Sequence, residues 1–188
     1  HSNGSASQAF AALKAGAQGF THLFNAMSPL QSRQAGMVGA ALLDSTSYCG
    51  LIVDNEHVDT TSCQLAIKCK TPERIMLVTD AMSHVGSEQI ELQFAGMTIN
   101  RQGNKLTIEG GRLAGSTLDM ASAFRNSVLT LGCSIQNAAK MASTSPATFL
   151  GLQQKKGHLA AGFDADWVVL TDQYFVSATY IAGEQVSS

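Results

Sequence analysis

The chain has 188 residues, of which 45% are hydrophobic and 14% charged, and its formal net charge is −2. This composition is typical of a folded globular protein and excludes a disordered or fibrous one. The balanced charge provides no basic surface for nucleic acid and no polybasic stripe for a membrane. No apolar stretch approaches the roughly 20 residues that a membrane helix needs. Four cysteines without a CxxC pair indicate reduced thiols, and we expect a cytoplasmic protein.

The first half of the chain alternates helices with short apolar strands. Ser5 and Gln8 have the spacing of a capping box and predict a helix, after which a short strand ends at His22. Further buried strands are predicted at 48–54 and 74–80. Residues 37–44 are predicted as a buried helix or a connector, and residues 63–70 as a helix capped by Thr61. Strand, helix, strand with apolar strands is typical of βαβ units and a parallel sheet.

The second half departs from this pattern. Residues 90–111 alternate with period two around Asn100 to Asn104, which predicts an antiparallel β insertion. The pair Ser116 and Asp119 has capping spacing and predicts a helix through Leu131. Further elements are predicted as a helix over 135–142, another starting at Ser145-Pro146, and strands from Trp167 onward.

Three of the predicted parallel strands end on polar residues. These are His22, then Asp54 with His57 just beyond it, and Asp80. Ligands of α/β folds bind at the carboxyl ends of parallel strands, so we expect these side chains on one rim. His1 has the same placement if a strand precedes it.

Imidazoles and carboxylates on one rim suit metal-assisted hydrolysis. Histidine is the commonest zinc ligand, and a nearby carboxylate can carry the proton. Asp80 is the candidate carboxylate, and Arg33 could hold an anionic group such as phosphate. The alternatives are a structural histidine at 22, aspartates that only cap helices, and a solvated Arg33. His84 and His158 are expected at the surface or outside direct contact with the ligand.

Several segments together carry a more specific resemblance. They are "HSN", "THLFNAM", "GLIVDNEHVD", "LVTDAMS", "LAGSTLDMASAFRNSV", "KMASTSPATFLGL" and "KGHLAAGFDADWVVL". In this order they resemble the N-acetylglucosamine-6-phosphate deacetylases of the amidohydrolase superfamily. The resemblance implies an α/β fold, a TIM-like (β/α)₈ barrel with a small β-sandwich. Residues 1–150 would form the later part of the barrel, with the β insertion at 90–111, and residues 151–188 the return into the sandwich.

The resemblance also implies an activity and a cofactor. The family hydrolyses the acetamide of N-acetylglucosamine 6-phosphate to glucosamine 6-phosphate and acetate, in amino-sugar catabolism. A divalent ion is expected, zinc first and iron or another ion as alternatives. The expected partners are the sugar phosphate and a second copy in a homodimer, without nucleic acid or membrane. The rivals are a sister amidohydrolase for another N-acyl sugar or a cyclic amide, and a non-catalytic fragment.

The family motifs assign roles to residues of this chain. His1 and His22 correspond to metal ligands, and Asp80 to the general base that takes a proton from the attacking water and returns it to the amine. Arg33 and His57 are expected to serve the phosphate, often across a dimer interface. The implied substrate-binding positions are Asn25, Ala26, Arg33, Asp54, Asn55, Glu56, His57, Leu113, Ala114 and Gly115.

The chain also departs from the family pattern. A closed barrel takes about 250 residues, so we expect the carboxyl-terminal half of an enzyme. The family's glutamate ligand, in an "HLEGP"-type motif, has no counterpart here, nor has the upstream histidine that polarises the acetyl carbonyl. The isolated half is therefore expected to bind metal weakly and to be inactive. Ala35 stands where proline is usual, and Asn55 where glycine is common.

Overall fold

A parallel sheet organises the first half of the computed structural model, which describes residues 1–83 and 85–186. Its strands are β1 (Gly19–Phe20), β2 (Tyr48–Leu51) and β3 (Ile75–Leu77), in the order β1-β2-β3. Every residue of β2 is buried, as expected for the middle strand of a covered parallel sheet. The predicted parallel strands are confirmed, and each is shorter than its apolar run.

Helices precede and connect these strands. They are α1 (Ala6–Lys14), α2 (Gly36–Leu43) and α3 (Thr60–Lys70). The capping box of Ser5 and Gln8 at the start of α1 is confirmed. The predicted cap of α3 was wrong, because Asp59 rather than Thr61 is the N-cap and its carboxylate accepts the backbone N–H of Thr61 at 2.8 Å. An ionised carboxylate is a strong acceptor for free N–H groups at a helix start.

The antiparallel β structure predicted for residues 90–111 is confirmed, and with a strand just beyond it this segment forms a four-stranded sheet. Its strands are β4 (Glu91–Phe94), β5 (Met97–Gln102), β6 (Lys105–Thr107) and β7 (Leu113–Ser116). Ser116 therefore lies in a strand and does not cap the next helix. That helix, α4 (Met120–Leu129), begins after Asp119, whose carboxylate accepts the N–H of Ser122 at 2.7 Å.

The next helical segment is continuous where two helices were predicted. α5 (Ile135–Ala139) passes through a π-helical turn (Lys140–Thr144) into α6 (Ser145–Phe149). Ser145 has helical dihedrals and makes no cap, so the predicted cap-then-proline start was wrong. The Ser145 hydroxyl instead donates to the carbonyl of Pro72 at 2.8 Å, which ties this helix to the segment before β3.

The end of the chain forms a second antiparallel sheet, of order β10-β9-β8. Its strands are β8 (Trp167–Leu170), β9 (Val176–Ile181) and β10 (Glu184–Val186), where strands were predicted. Exposed apolar side chains on it include Val168, Val176 and Ile181.

The main core lies around β2 and the residues that follow it. Leu51, Ile52 and Val53 are fully buried or nearly so, and α3 contributes Cys63 and Ala66 to the same cluster. The described cysteines are free, as expected. Within the described residues, no helix combines the length and the apolar character needed to cross a bilayer. His158 is exposed as expected, whereas His84 lies outside the described residues.

Candidate metal centre and substrate rim

Two imidazoles meet at the end of β1. Nδ1 of His1 lies 3.2 Å from Nε2 of His22, and the ring centroids are 5.1 Å apart in an edge-on arrangement. His22 is 9% exposed, whereas His1 is exposed. The predicted meeting of these two side chains is therefore present in the structure.

Backbone pairing brings the two histidines together. The Ser2 N–H donates to the carbonyl of Ala26 at 3.0 Å, and Ser2 pairs in parallel with Met27. His22 has a positive φ of 25°, and the following N–H of Leu23 donates to the carbonyl of Gly50 at 2.8 Å. The turn after β1 is thus held against β2, and the segment of His1 is held against that turn.

The spacing of the two nitrogens fits a shared cation. Two nitrogens bound tetrahedrally to zinc at 2.0–2.1 Å lie about 3.3 Å apart. Nδ1 of His22 is buried without a hydrogen-bond partner among the described residues. Metal-bound histidines normally donate this second N–H to an acceptor, so one partner of His22 remains to be supplied. Within residues 1–83 and 85–186, no group of three or more His, Cys, Asp or Glu side chains forms a metal site.

Asp80 follows β3 in a strained conformation. Its φ is 51°, in the left-handed region that few residues other than Gly, Asn and Asp adopt. Its carbonyl accepts the N–H of Ser116 at 2.9 Å, and Met82 donates to the carbonyl of Ser116 at 3.0 Å. Asp80 is an exposed residue shortly after the end of the strand. No described hydrogen bond or ion pair joins it to His1 or His22.

The "LAG" segment of β7 packs directly against this turn. Gly115 has a φ of 76°, and a Cβ placed there would lie 2.6 Å from Cγ of Met82 and 2.9 Å from the carbonyl oxygen of Asp80. Only glycine permits so close an approach of two backbones at this φ. Gly115 therefore lies beside Asp80, and Leu113 and Ala114 precede it in β7.

Asp54 and His57 form a buried pair on the loop after β2. Oδ2 of Asp54 lies 2.7 Å from Nδ1 of His57, and the two side chains are 6% and 4% exposed. Although burial raises the pKa of Asp54, hydrogen bonds from His57 and from backbone N–H groups hold it below its usual value. The hydrogen bond to Asp54 raises the pKa of His57, against the opposing effect of burial. Charges of Asp80 and Glu56 act in the same direction as Asp54.

The two residues between them have separate contacts. Asn55 has a φ of 62°, which agrees with the frequent glycine of the family, and its side-chain oxygen accepts the hydroxyl of Thr60 at 2.9 Å. Glu56 forms an ion pair at 2.8 Å with Lys105 of the inserted sheet. The inserted sheet therefore contacts the loop that carries His57.

Other predicted substrate positions are spread around the loop after His22. Asn25 donates its N–H to the carbonyl of His22 at 2.9 Å and is half-buried, while Ala26 is exposed with a φ of 45°. Arg33 is exposed in a turn closed by Gln31 and Gln34. Among the described residues it makes no side-chain hydrogen bond or ion pair, so the structure does not bring it onto the Asp54–His57 pair.

Sequence reasoning missed three residues that support this rim. Lys105 contacts Glu56, Ser116 holds the backbone of Asp80, and Asn126 donates its side-chain N–H to the carbonyl of Val53 at 2.8 Å. All three contacts join distant parts of the chain, so no local pattern could reveal them. Ser116 had a visible signal, but its spacing to Asp119 favoured a helix cap.

A sequence profile described as "Amidohydrolase family" matches residues 11–186. The chain belongs to the amidohydrolase family. Enzymes of this family depend on metal, so a divalent ion is the cofactor that the paired histidines fit. The choice of ion stays a prediction.

Sequence relatives of this amidohydrolase chain carry two deacetylase names. It is 48% identical over 184 residues to an N-acetylgalactosamine-6-phosphate deacetylase of Shewanella sp. (strain ANA-3), covering 98% of this chain and 46% of the relative. It is 37% identical to an N-acetylglucosamine-6-phosphate deacetylase of Homo sapiens, covering 93% of this chain and 44% of the relative. The chain thus spans about half the length of the curated relatives it matches.

Solved structures match over the same extent. The N-acetylglucosamine-6-phosphate deacetylase of Pasteurella multocida superposes with a TM-score of 0.96 at 32% identity, over 100% of this chain and 49% of that one. A mutant of the Mycobacterium smegmatis deacetylase, in complex with N-acetyl-D-glucosamine-6-phosphate, superposes with a TM-score of 0.93 at 34% identity, over 99% and 50%. The resemblance to the deacetylases is confirmed, whereas the assignment to the carboxyl-terminal half stays a prediction.

Proposed function

We propose that this chain is part of a metal-dependent deacetylase that hydrolyses the acetamide of an N-acetylhexosamine 6-phosphate, N-acetylglucosamine 6-phosphate first. The observation that carries the proposal is the 3.2 Å approach of the His1 and His22 nitrogens at the end of β1. The deacetylase names of the relatives support the substrate class. The complete fold is a TIM-like barrel with a small β-sandwich, to which residues 1–150 and 151–188 contribute.

In the proposed mechanism, the two histidines bind the metal and Asp80 transfers the proton. His1 and His22 hold the divalent ion together with ligands outside this chain. When bound, the ion acidifies water and polarises the acetyl carbonyl. Asp80 accepts a proton from the attacking water and donates it to the departing amine. Its exposure and the hydrogen bond from Ser116 to its carbonyl suit this role, because the proton carrier must be accessible and held in place.

Substrate binding involves the loops around this centre. Asn25, Ala26 and the 113–115 segment border the sugar, and Arg33 and His57 take the phosphate, from two copies of a cytoplasmic homodimer. The close packing of Gly115 on Asp80 supports this placement, because it brings backbone amides to the site of the proton carrier. Zinc is the proposed ion, since two neutral imidazoles suit it.

A second candidate substrate is N-acetylgalactosamine 6-phosphate. It is favoured by the 48% identity to the Shewanella relative, which is higher than the 37% to the human N-acetylglucosamine-6-phosphate deacetylase. The two sugars differ in the configuration of one hydroxyl, so the same ion and the same proton carrier serve both.

Acetate release by the whole enzyme tests the proposal. The zinc-loaded protein is incubated with each of the two sugar phosphates and with N-acetylglucosamine lacking phosphate. We expect acetate from at least one sugar phosphate and a much lower kcat/KM for the unphosphorylated sugar. Equal rates with and without phosphate would favour a different N-acyl sugar, and no acetate from any of them would refute the deacetylase.

A further inference from the structure

The carboxylate of Asp54 makes three contacts with its own loop. Oδ1 accepts the backbone N–H groups of Glu56 at 2.9 Å and His57 at 2.8 Å, and Oδ2 faces Nδ1 of His57 at 2.7 Å. The side chain is 6% exposed. These three contacts occupy three of the about four lone-pair positions of the carboxylate, and its low exposure leaves little of it facing a substrate. Its role is therefore exerted on His57.

The hydrogen bonds of Asp54 also fix the proton on the imidazole. Two N–H groups donate to the same carboxyl, which stabilises its ionised form. An ionised carboxylate only accepts, so Nδ1 of His57 must carry the hydrogen in the 2.7 Å contact. Among residues 1–83 and 85–186, Nε2 of His57 makes no hydrogen bond, and it is not one of the buried atoms without a partner. It is thus the nitrogen left to meet a ligand.

We propose that Asp54 is a positioning residue, which holds the His57 imidazole as a doubly protonated cation with Nε2–H available to the substrate's phosphate. This inference rests on the proposed function for the identity of the anion, and it goes beyond it in assigning the origin of the positive charge. Asp54 acts through His57 and does not touch the sugar.

The surroundings of His57 favour the cation from more than one element. Asp54 lies on its own loop, Asp80 follows β3, and Glu56 adds a third carboxylate. The ammonium of Lys105 in β6 forms an ion pair with Glu56 at 2.8 Å. Of these groups only Asp54 is hydrogen-bonded to the ring, so its removal changes both the charge and the orientation of His57.

Asp54→Asn is the informative substitution. The amide oxygen can still accept the two backbone N–H groups, so the loop keeps its internal hydrogen bonds. The amide N–H₂ faces Nδ1 and favours the neutral ring with its proton on Nε2. The matched control is Asp172→Asn, the same substitution in an exposed turn of the β8–β9 connection.

Kinetics of the zinc-loaded whole enzyme separate positioning from a merely structural role. We expect Asp54→Asn to raise KM for the sugar phosphate about tenfold or more, the loss of one charge-assisted contact, with kcat changed less than about threefold. KM for the unphosphorylated sugar should not change, and Asp172→Asn should match the wild type. An unchanged KM for the sugar phosphate, or an equal loss with both sugars, would overturn the inference.

An NMR titration of the His57 ring tests its protonation state directly and needs neither catalysis nor a variant. In the wild-type whole enzyme we expect Nδ1 to be protonated throughout, and the ring to stay charged at a higher pH than an ordinary histidine. In Asp54→Asn the ring should lose its charge at a lower pH. A wild-type ring that is neutral below the ordinary range, or that carries its proton on Nε2 alone, would refute the role of Asp54 even if the variant fails to fold. An enzyme that lacks deacetylation but shows this titration would refute the proposed function alone.

Discussion

Nδ1 of His1 and Nε2 of His22 lie 3.2 Å apart although the residues are separated by 21 positions. Pairing of Ser2 with Met27 brings them together, because it fixes the start of the chain against the turn that follows His22. The other nitrogen of His22 is buried without a partner among the described residues. The 3.2 Å approach of two imidazole nitrogens fits the proposed metal centre, in which the unpartnered nitrogen of His22 would donate to a further acceptor.

Removal of His22 is therefore expected to empty this centre. His22→Asn in the whole enzyme should lower the bound metal, measured by elemental analysis after dialysis, by about tenfold or more. His158→Asn is the control, because His158 is exposed and its ring lies edge-on to that of Phe163. Wild-type metal content in His22→Asn would contradict the assignment of this ligand.

Asp80→Asn separates chemistry from binding. The amide cannot accept a proton from water, so kcat of the whole enzyme should fall about 10²–10⁴-fold. The sugar phosphate should still bind with an unchanged Kd in calorimetry, because the backbone of Asp80 stays held by Ser116. Asp172→Asn serves as the control for the substitution itself. Retained deacetylation in Asp80→Asn would show that another group carries the proton.

The sequence predicted the strands and the polar residues that end them, because both signals are local. A buried parallel strand is a short apolar run, and its end is marked by a residue such as His22 or Asp80. The helix starts were harder to predict. Thr61 and Asp59 are both suitable N-cap residues for α3, and Asp59, whose carboxylate is the stronger acceptor, is the one that caps it. The contacts of Lys105 with Glu56 and of Ser116 with Asp80 join segments that fold far apart in sequence. No periodicity encodes such contacts, so only the folded chain reveals them.

The Asp54–His57 pair should give the whole protein a defined pH window of extra stability. The lowered pKa of Asp54 contributes stability above its unfolded value of about 3.9, which is lost as the pH falls through the folded pKa. The raised pKa of His57 contributes stability that is complete below about 6.5 and is lost as the pH rises through the folded pKa. The pair therefore stabilises the fold most between about pH 4 and 6.5.

Urea unfolding of the wild type and Asp54→Asn across this range measures the effect. The loss of unfolding free energy should reach about 2–3 kcal/mol inside the window, the size expected for a hydrogen bond between charged groups, and should shrink on both sides. Asp172→Asn should show no such dependence. A loss that is constant with pH would mean that Asp54 stabilises the loop only through its neutral hydrogen bonds.

Alanine substitutions at Gly115 and Gly111 separate the effect of the close contact between β7 and Asp80 from the effect of backbone strain. Both have a φ of 76°, but a Cβ at Gly111 meets nothing within 4 Å, whereas at Gly115 it would lie 2.6 Å from Met82. Gly111→Ala should cost about 1 kcal/mol in unfolding free energy for the left-handed conformation alone. Gly115→Ala should cost about 2–4 kcal/mol and also reduce kcat, because the added methyl group displaces the turn of Asp80. Equal losses of stability in the two variants, with kcat unchanged, would show that the contact between β7 and Asp80 does not position the proton carrier.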